Sequence, residues 1–72
     1  MNHVKPGIYR HYKGNLYEVY GVAVHSETEE RLVVYRALYG EYRLTVRPET
    51  MFLEEVNFEG HVGPRFTLTK EL

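Results

Sequence analysis

The sequence predicts a small all-β fold, either an SH3-like barrel or a strongly bent antiparallel sheet of about five strands. Short runs rich in β-branched and aromatic residues recur along the chain, and Gly, Pro and Asn separate them at close spacing. Helical periodicity is almost absent. With 72 residues and no cysteine, the chain has room for one small core without disulfides. We therefore expect residues 1–72 to form a single domain, stabilised by a closed sheet or by dimerisation.

The first two predicted strands form a hairpin. Residues 8–12 are typical of a strand, and residues 13–15 supply the Gly and Asn that tolerate positive φ in a short loop. The second strand should run from Leu16 to about His25, with apolar side chains on both faces. Gly21 interrupts this strand and is a natural place for a bend or a bulge.

Two further strands are predicted in the middle of the chain. A polar connection at residues 26–30 precedes a strand at residues 31–38, and residues 39–41 turn the chain. Residues 42–47 alternate most regularly, with one face hydrophobic and the other basic. The set expected to face the core is Tyr42, Leu44 and Val46, and the set expected to face solvent is Arg43, Thr45 and Arg47.

The last third of the chain is predicted to hold one helical turn and a final strand. Pro48 should end the preceding strand because it has no N–H to donate, and residues 48–52 suit one helical or 3₁₀ turn. Residues 53–58 are compatible with either a further helical turn or a short strand. After glycine-containing turns that include residues 63–64, residues 65–68 are predicted to form the last strand.

Charge and composition restrict the classes of function. The formal net charge of −1 argues against a protein that holds nucleic acid mainly by bulk phosphate attraction. All ten acidic residues are Glu, six of the nine basic residues are Arg, and seven of the ten aromatic residues are Tyr. The planar guanidinium of Arg beside the phenol ring of Tyr is well suited to binding anions or planar groups. No apolar run follows Met1 or approaches a membrane span of about 20 residues, so we expect a cytoplasmic location without membrane contact.

Enzyme chemistry has few candidate groups. The chain has no Cys or Asp and a single Ser, so a nucleophilic triad would require Ser26 with His25 or His11 and a Glu. The remaining enzyme alternative is a small hydrolase or lyase that uses His25 with Glu27 or Glu29. The four histidines lack metal-binding spacing, so we expect no metal and no cofactor.

Four stretches together resemble one bacterial family. Residues 7–19 are GIYRHYKGNLYEV, residues 25–40 are HSETEERLVVYRALYG, residues 46–52 are VRPETMF and residues 64–66 are PRF. In this order, over nearly the whole chain, they resemble the domain of unknown function 1653 family. The resemblance implies a compact bacterial β domain with no established activity. The motif positions it singles out are His11, Lys13, Gly14, His25, Thr28, Tyr35, Arg47 and Arg65.

This chain departs from the family pattern at one position. The resemblance implies that a large aromatic side chain often stands where this chain has Thr45, two residues before Arg47. If that position lines a pocket, the pocket in this protein is wider or its ligand is different.

A non-enzymatic binding module is the leading functional prediction. Arg43 and Arg47 share one face of the fourth strand, and Arg31, Tyr35 and Tyr39 share one face of the third. If those two faces coincide, the sheet presents guanidinium groups beside phenol rings. The expected ligand is a small anion, a peptide or a partner protein. A nucleic-acid module is the alternative, and a homodimer is compatible with the small core. The predicted binding residues are His11, His25, Thr28, Tyr35, Arg47 and Arg65.

Overall fold

The computed structural model describes residues 4–72 and contains seven strands and one short helix. The all-β class is confirmed. Among the described residues, no helix is long and apolar enough to cross a membrane. The elements are β1 Gly7–His11, β2 Leu16–Val24, β3 Arg31–Ala37, β4 Leu44–Pro48, α1 Glu49–Phe52, β5 Glu55–Phe58, β6 His61–Pro64 and β7 Phe66–Glu71.

Five strands form one antiparallel sheet in the order β4-β3-β2-β1-β7, and β5 pairs with β6 in a separate hairpin. Within residues 4–72 the ladder does not close between β4 and β7. The described residues therefore form the bent antiparallel sheet of the prediction and not the closed SH3-like barrel, which was the first choice from the sequence.

The open sheet curls around an aromatic core. If the sheet were flat, β4 and β7 would lie about 19 Å apart, since neighbouring strands are spaced by about 4.8 Å. The guanidinium of Arg47 on β4 nevertheless lies 5.8 Å from the ring centre of Phe66 on β7. Phe52 of α1 fills the concave side and stacks on Phe66 with 4.2 Å between ring centres. The buried core residues are Val4, Tyr9, Val19, Val33, Tyr35, Phe52 and Phe66.

The first hairpin follows the prediction closely. Gly14 occupies the β1–β2 turn with a φ of 109°, and the register of β2 shifts between Val19 and Gly21. This irregularity is the bulge expected at Gly21, whose φ is 148°. Beyond it, Val22 pairs with Val33 and packs against the core. The bulge therefore moves Val22 to the face that Val19 occupies.

The two faces of β4 are the reverse of the prediction. The register pairs Arg47 with Val33 and Thr45 with Tyr35. Directly opposed residues of an antiparallel pair point to the same face. Because Val33 and Tyr35 are buried, Arg47 and Thr45 lie on the concave side of the sheet.

The apolar side chains of β4 lie on the outer face instead. Leu44 is 56% exposed and Val46 is 53% exposed. The physical reason is that β4 is an edge strand, and Phe52 of the following helix provides the apolar cover for this part of the core. A two-residue alternation separates two faces, but it does not say which one is covered.

The last third contains two strands, β5 and β6, in addition to the predicted final strand. The ambiguity at residues 53–58 resolves as β5, and the turn expected around residues 63–64 forms β6. Gly63 and Pro64 are tolerated there because β6 pairs on one side only and lasts four residues. The last strand, β7, begins one residue later than predicted and extends to Glu71.

Candidate functional site

Four of the six predicted binding residues lie near one another, and three of them, His11, Tyr35 and Arg47, surround the ring of Phe66. We call these three residues and Arg65 the cation–aromatic cluster. The ring centre of Phe66 lies 5.0 Å from that of His11 and 5.9 Å from that of Tyr35. The guanidinium of Arg47 lies 5.8 Å from the same ring. Arg65 immediately precedes Phe66, and its positive charge helps to lower the pKa of the His11 imidazole.

Arg47 provides a cation that no carboxylate of residues 4–72 neutralises at contact distance. Its Nε donates a hydrogen bond to the Tyr35 hydroxyl at 3.3 Å. The ion pairs found within residues 4–72 involve Lys5, Arg31 and Arg65, and none involves Arg47. A half-buried guanidinium with a phenol and a ring as partners retains donors for an anion.

Arg65 is held by backbone bonds on both sides. Its N–H donates to the Glu54 carbonyl at 3.1 Å, and its carbonyl accepts the Tyr12 N–H at 2.9 Å. Its Nη2 donates to Glu54 Oε1 at 3.1 Å, so part of this guanidinium is used in an ion pair. Its Nε, however, is buried and has no partner within residues 4–72. Such an unsatisfied donor costs about 1–3 kcal/mol, so an acceptor arriving there would be stabilised.

His11 is neutral in the folded protein at physiological pH. Burial lowers its pKa from the ordinary value of 6.5, and the charges of Arg65, Arg47 and Lys13 lower it further. Its Nδ1 accepts the Lys13 N–H at 3.2 Å, so in the neutral ring Nε2 carries the proton. His11 therefore offers a donor without adding a charge to the cluster.

A cavity of about 230 Å³ adjoins the cluster and is called the tyrosine cavity here. The Tyr17 and Tyr39 hydroxyls share a hydrogen bond of 2.8 Å at this cavity. Burial raises the pKa of Tyr17, and the Tyr39 hydrogen bond raises it further, so Tyr17 stays a neutral phenol. Thr45, the position where the chain departs from the family pattern, lines the cavity. The main lining residues are Tyr17, Tyr35, Tyr39, Glu41, Arg43 and Thr45.

The six predicted binding residues do not include Tyr17, Tyr39 or Arg43, although Tyr39 and Arg43 were expected on the face that carries Arg and Tyr side chains. The signal that would have found Tyr17 is the symmetry of the predicted hairpin. A loop at residues 26–30 places Tyr17 near residue 37, and the observed partner is Ala37. Arg43 was expected on the basic face of the fourth strand, but the reversal of that strand was needed to bring it to the cavity.

The other two predicted residues lie elsewhere, at the tip of the β2–β3 hairpin. His25 Nδ1 accepts the N–H groups of Glu27 at 3.1 Å and Thr28 at 3.3 Å, and Thr28 Oγ1 accepts the Glu30 N–H at 3.2 Å. The tip lies about 23 Å from Tyr17 along β2, at roughly 3.3 Å per residue. His25 and Thr28 therefore close the turn, and the structure does not bring them to the cluster.

The tip residues named in the enzyme alternative are exposed. His25, Glu27 and Glu29 are all open to solvent, and the hydrogen bonds of the His25 side chain are with backbone N–H groups. Across residues 4–72, no three metal-ligating side chains gather into a possible metal centre.

The fold and this site define a small all-β domain with a concave cation–aromatic face. The model of the family described as "Protein of unknown function (DUF1653)" matches residues 7–68. The chain belongs to the DUF1653 family. It is similar to the crystal structure of a DUF1653 protein from Bordetella bronchiseptica, with a TM-score of 0.87 and 35% identity over 96% of this chain and 91% of that chain. A comparison with curated proteins gives no match.

Proposed function

We propose that this DUF1653 protein is a cytoplasmic, non-enzymatic binding module whose cation–aromatic cluster recognises a small anionic ligand. The observation that carries the proposal is Arg47, a half-buried guanidinium on the concave face whose described partners are the Tyr35 hydroxyl and the Phe66 ring. A guanidinium placed in this way presents a fork of donors to a carboxylate or phosphate.

The neighbours of Arg47 favour the same ligand chemistry. The buried Arg65 Nε lacks an acceptor within residues 4–72, and His11 offers a neutral N–H donor. Hydrogen bonds to charged groups contribute about 1.5–3 kcal/mol each, so two or three of them suffice for a weak, specific site. A peptide or protein partner would present the same chemistry through a terminal or side-chain carboxylate.

Calorimetric titration of the wild-type protein with phosphate, sulfate and acetate tests the proposal. We expect saturable binding of at least one anion, and at least about tenfold weaker binding after Arg47→Ala, the effect of losing about 1.4 kcal/mol. Tyr35→Phe should weaken binding less, because it removes one hydroxyl and keeps the ring. Arg10→Ala is the matched control, since Arg10 is exposed and pairs with Leu16 on the outer face. Equal losses in Arg47→Ala and Arg10→Ala would show that only bulk charge attracts the anion.

A salt titration separates this proposal from nucleic-acid binding. A single small anion should show a shallow dependence of affinity on salt. An oligonucleotide bound through several phosphates should lose affinity steeply, with a slope of about −0.7 per phosphate neutralised on a single strand. Tight oligonucleotide binding with a steep slope, and no binding of small anions, would contradict the proposal.

A further inference from the structure

The tyrosine cavity shares one lining residue, Tyr35, with the cation–aromatic cluster. We propose that this cavity is a ring subsite, so that the ligand is a small carboxylate or phosphate that carries one flat aromatic or heteroaromatic ring. The inference rests on the proposed function, since it places the anionic group of the ligand at the cluster and its ring in the cavity.

Tyr35 joins the two parts of the site. Its side chain lines the cavity, and its hydroxyl accepts the Arg47 Nε–H at 3.3 Å. A hydroxyl that accepts one hydrogen bond still has its own hydrogen to donate. A ligand with its ring in the cavity would therefore place a directly attached oxyanion next to both Arg47 and the Tyr35 hydroxyl.

The size and walls of the cavity suit one flat ring. Its volume of about 230 Å³ lies below the roughly 300–1,000 Å³ of pockets that hold drug-sized ligands, so a single ring is a better match than an extended molecule. Tyr17 packs edge-on against Tyr35 at 5.5 Å and against Tyr39 at 5.6 Å. Aromatic rings favour edge-to-face and offset contacts with such walls, and a flat ring loses no internal torsional freedom on entry.

The polar groups of the cavity favour a ring with hydrogen-bonding atoms. The Tyr17 and Tyr39 hydroxyls have two hydrogens between them and use one in their shared bond, so one O–H is left to donate. Arg43 adds further donors, and Glu41 is an acceptor that repels additional negative charge. The protein also has a formal net charge of −1. Together with Glu41, this charge favours a small ligand with one acidic group over a polyanion.

Nuclear magnetic resonance titration of ¹⁵N-labelled wild-type protein provides the test. The probes are acetate, cyclohexanecarboxylate, benzoate and phenyl phosphate. We expect benzoate and phenyl phosphate to bind about tenfold more tightly than acetate, which is typical of one buried aromatic contact. The protein signals that shift on addition of benzoate or phenyl phosphate should include the backbone amides of Ala37, Gly40 and Thr45. The carboxylate and phosphate probes show which oxyanion the cluster prefers.

A cavity-filling variant identifies the subsite. Thr45→Trp should place an indole in the tyrosine cavity and remove the advantage of benzoate over acetate, while inorganic phosphate still shifts the cluster. Val46→Trp is the matched control, since Val46 is the next residue of β4 and lies 53% exposed on the opposite face. Equal loss of the advantage in both variants would overturn the ring subsite.

The outcomes separate the two proposals. If benzoate binds no more tightly than acetate or cyclohexanecarboxylate, while the anions still shift the cluster, the ring subsite is wrong and the proposed function stands. If neither these acids nor inorganic phosphate shifts the cluster, the proposed function fails and the ring subsite fails with it. Binding of an oligothymidylate in the absence of any response to the small acids would overturn both in favour of a nucleic-acid module.

Discussion

Both ends of the β2–β3 hairpin carry side chains that form hydrogen bonds, but the bonds at the tip are local and those at the base join distant residues. At the tip, the side-chain bonds of His25 and Thr28 reach backbone N–H groups two or three residues away. At the base, Tyr17 bonds Tyr39 across 22 residues, and Arg47 bonds Tyr35 across 12. Local bonds close a turn that the hairpin needs in any case. Bonds between strands assemble a face, and the donors left over on that face are free for a ligand.

The largest expected difference between the ends is in folding stability. Phe66 is buried at the centre of the cluster and stacks on Phe52, so Phe66→Ala should destabilise the protein by about 3–5 kcal/mol. Urea unfolding measures this loss. Phe58→Ala is the control, since Phe58 is 47% exposed on the small β5–β6 hairpin and should lose much less. Similar losses in both variants would mean that the core does not centre on Phe66.

The bulge that separates the two ends is the next target. Gly21 has a φ of 148°, and a Cβ built there meets no atom within 4 Å, so the expected effect of Gly21→Ala is backbone strain alone. The loss should be about 1–3 kcal/mol. Thermal unfolding measures this loss. The comparison variant is Ala23→Gly, which makes the reverse change in the same strand. A neutral Gly21→Ala would show that β2 has no bulge that requires glycine.

A smaller effect is expected at the tip. His25→Ala removes the acceptor of two backbone N–H groups in an exposed turn, so the protein should lose about 0.5–1.5 kcal/mol. His25→Asn should recover most of this loss, because an Asn side chain can accept the same bonds. Anion affinity should stay at the wild-type level in both variants. Weaker anion binding in His25→Asn would show that the tip of the β2–β3 hairpin belongs to the binding site.

The pH dependence of folding stability should report on His11 in the cation–aromatic cluster. The folded-state pKa of His11 is lowered, so below its ordinary value of 6.5 the unfolded chain binds more protons than the folded protein. This contribution to stability is complete above pH 6.5 and is lost as the pH falls through the folded-state pKa. Urea unfolding of wild type and His11→Asn between about pH 8 and pH 5 tests this linkage. Parallel pH profiles would contradict it.

Much of the fold could be predicted from the sequence because its turns are local. Gly14, Gly21 and the polar residues of the β2–β3 turn fix the hairpins through backbone preferences that nearby residues reveal. The orientation of β4 could not be predicted, since it depends on Phe52 arriving from another element. The same limit applies to the site. Pairing of β1 with β7 brings His11 beside Phe66 and its neighbour Arg65, and pairing of β3 with β4 brings Tyr35 near Arg47. The curl of the sheet then brings these two groups together.

A phosphate titration that follows the Arg Nε–H signals of ¹⁵N-labelled protein is the sharpest test of anion binding at the cation–aromatic cluster. We expect saturable shifts of the Arg47 and Arg65 signals, because the Arg47 Nε donates to Tyr35 and the Arg65 Nε is buried without a partner in residues 4–72. The amides of residues 25–30 should not move. Shifts that grow linearly without saturation, or that are as large at the tip as at the cluster, would contradict the account.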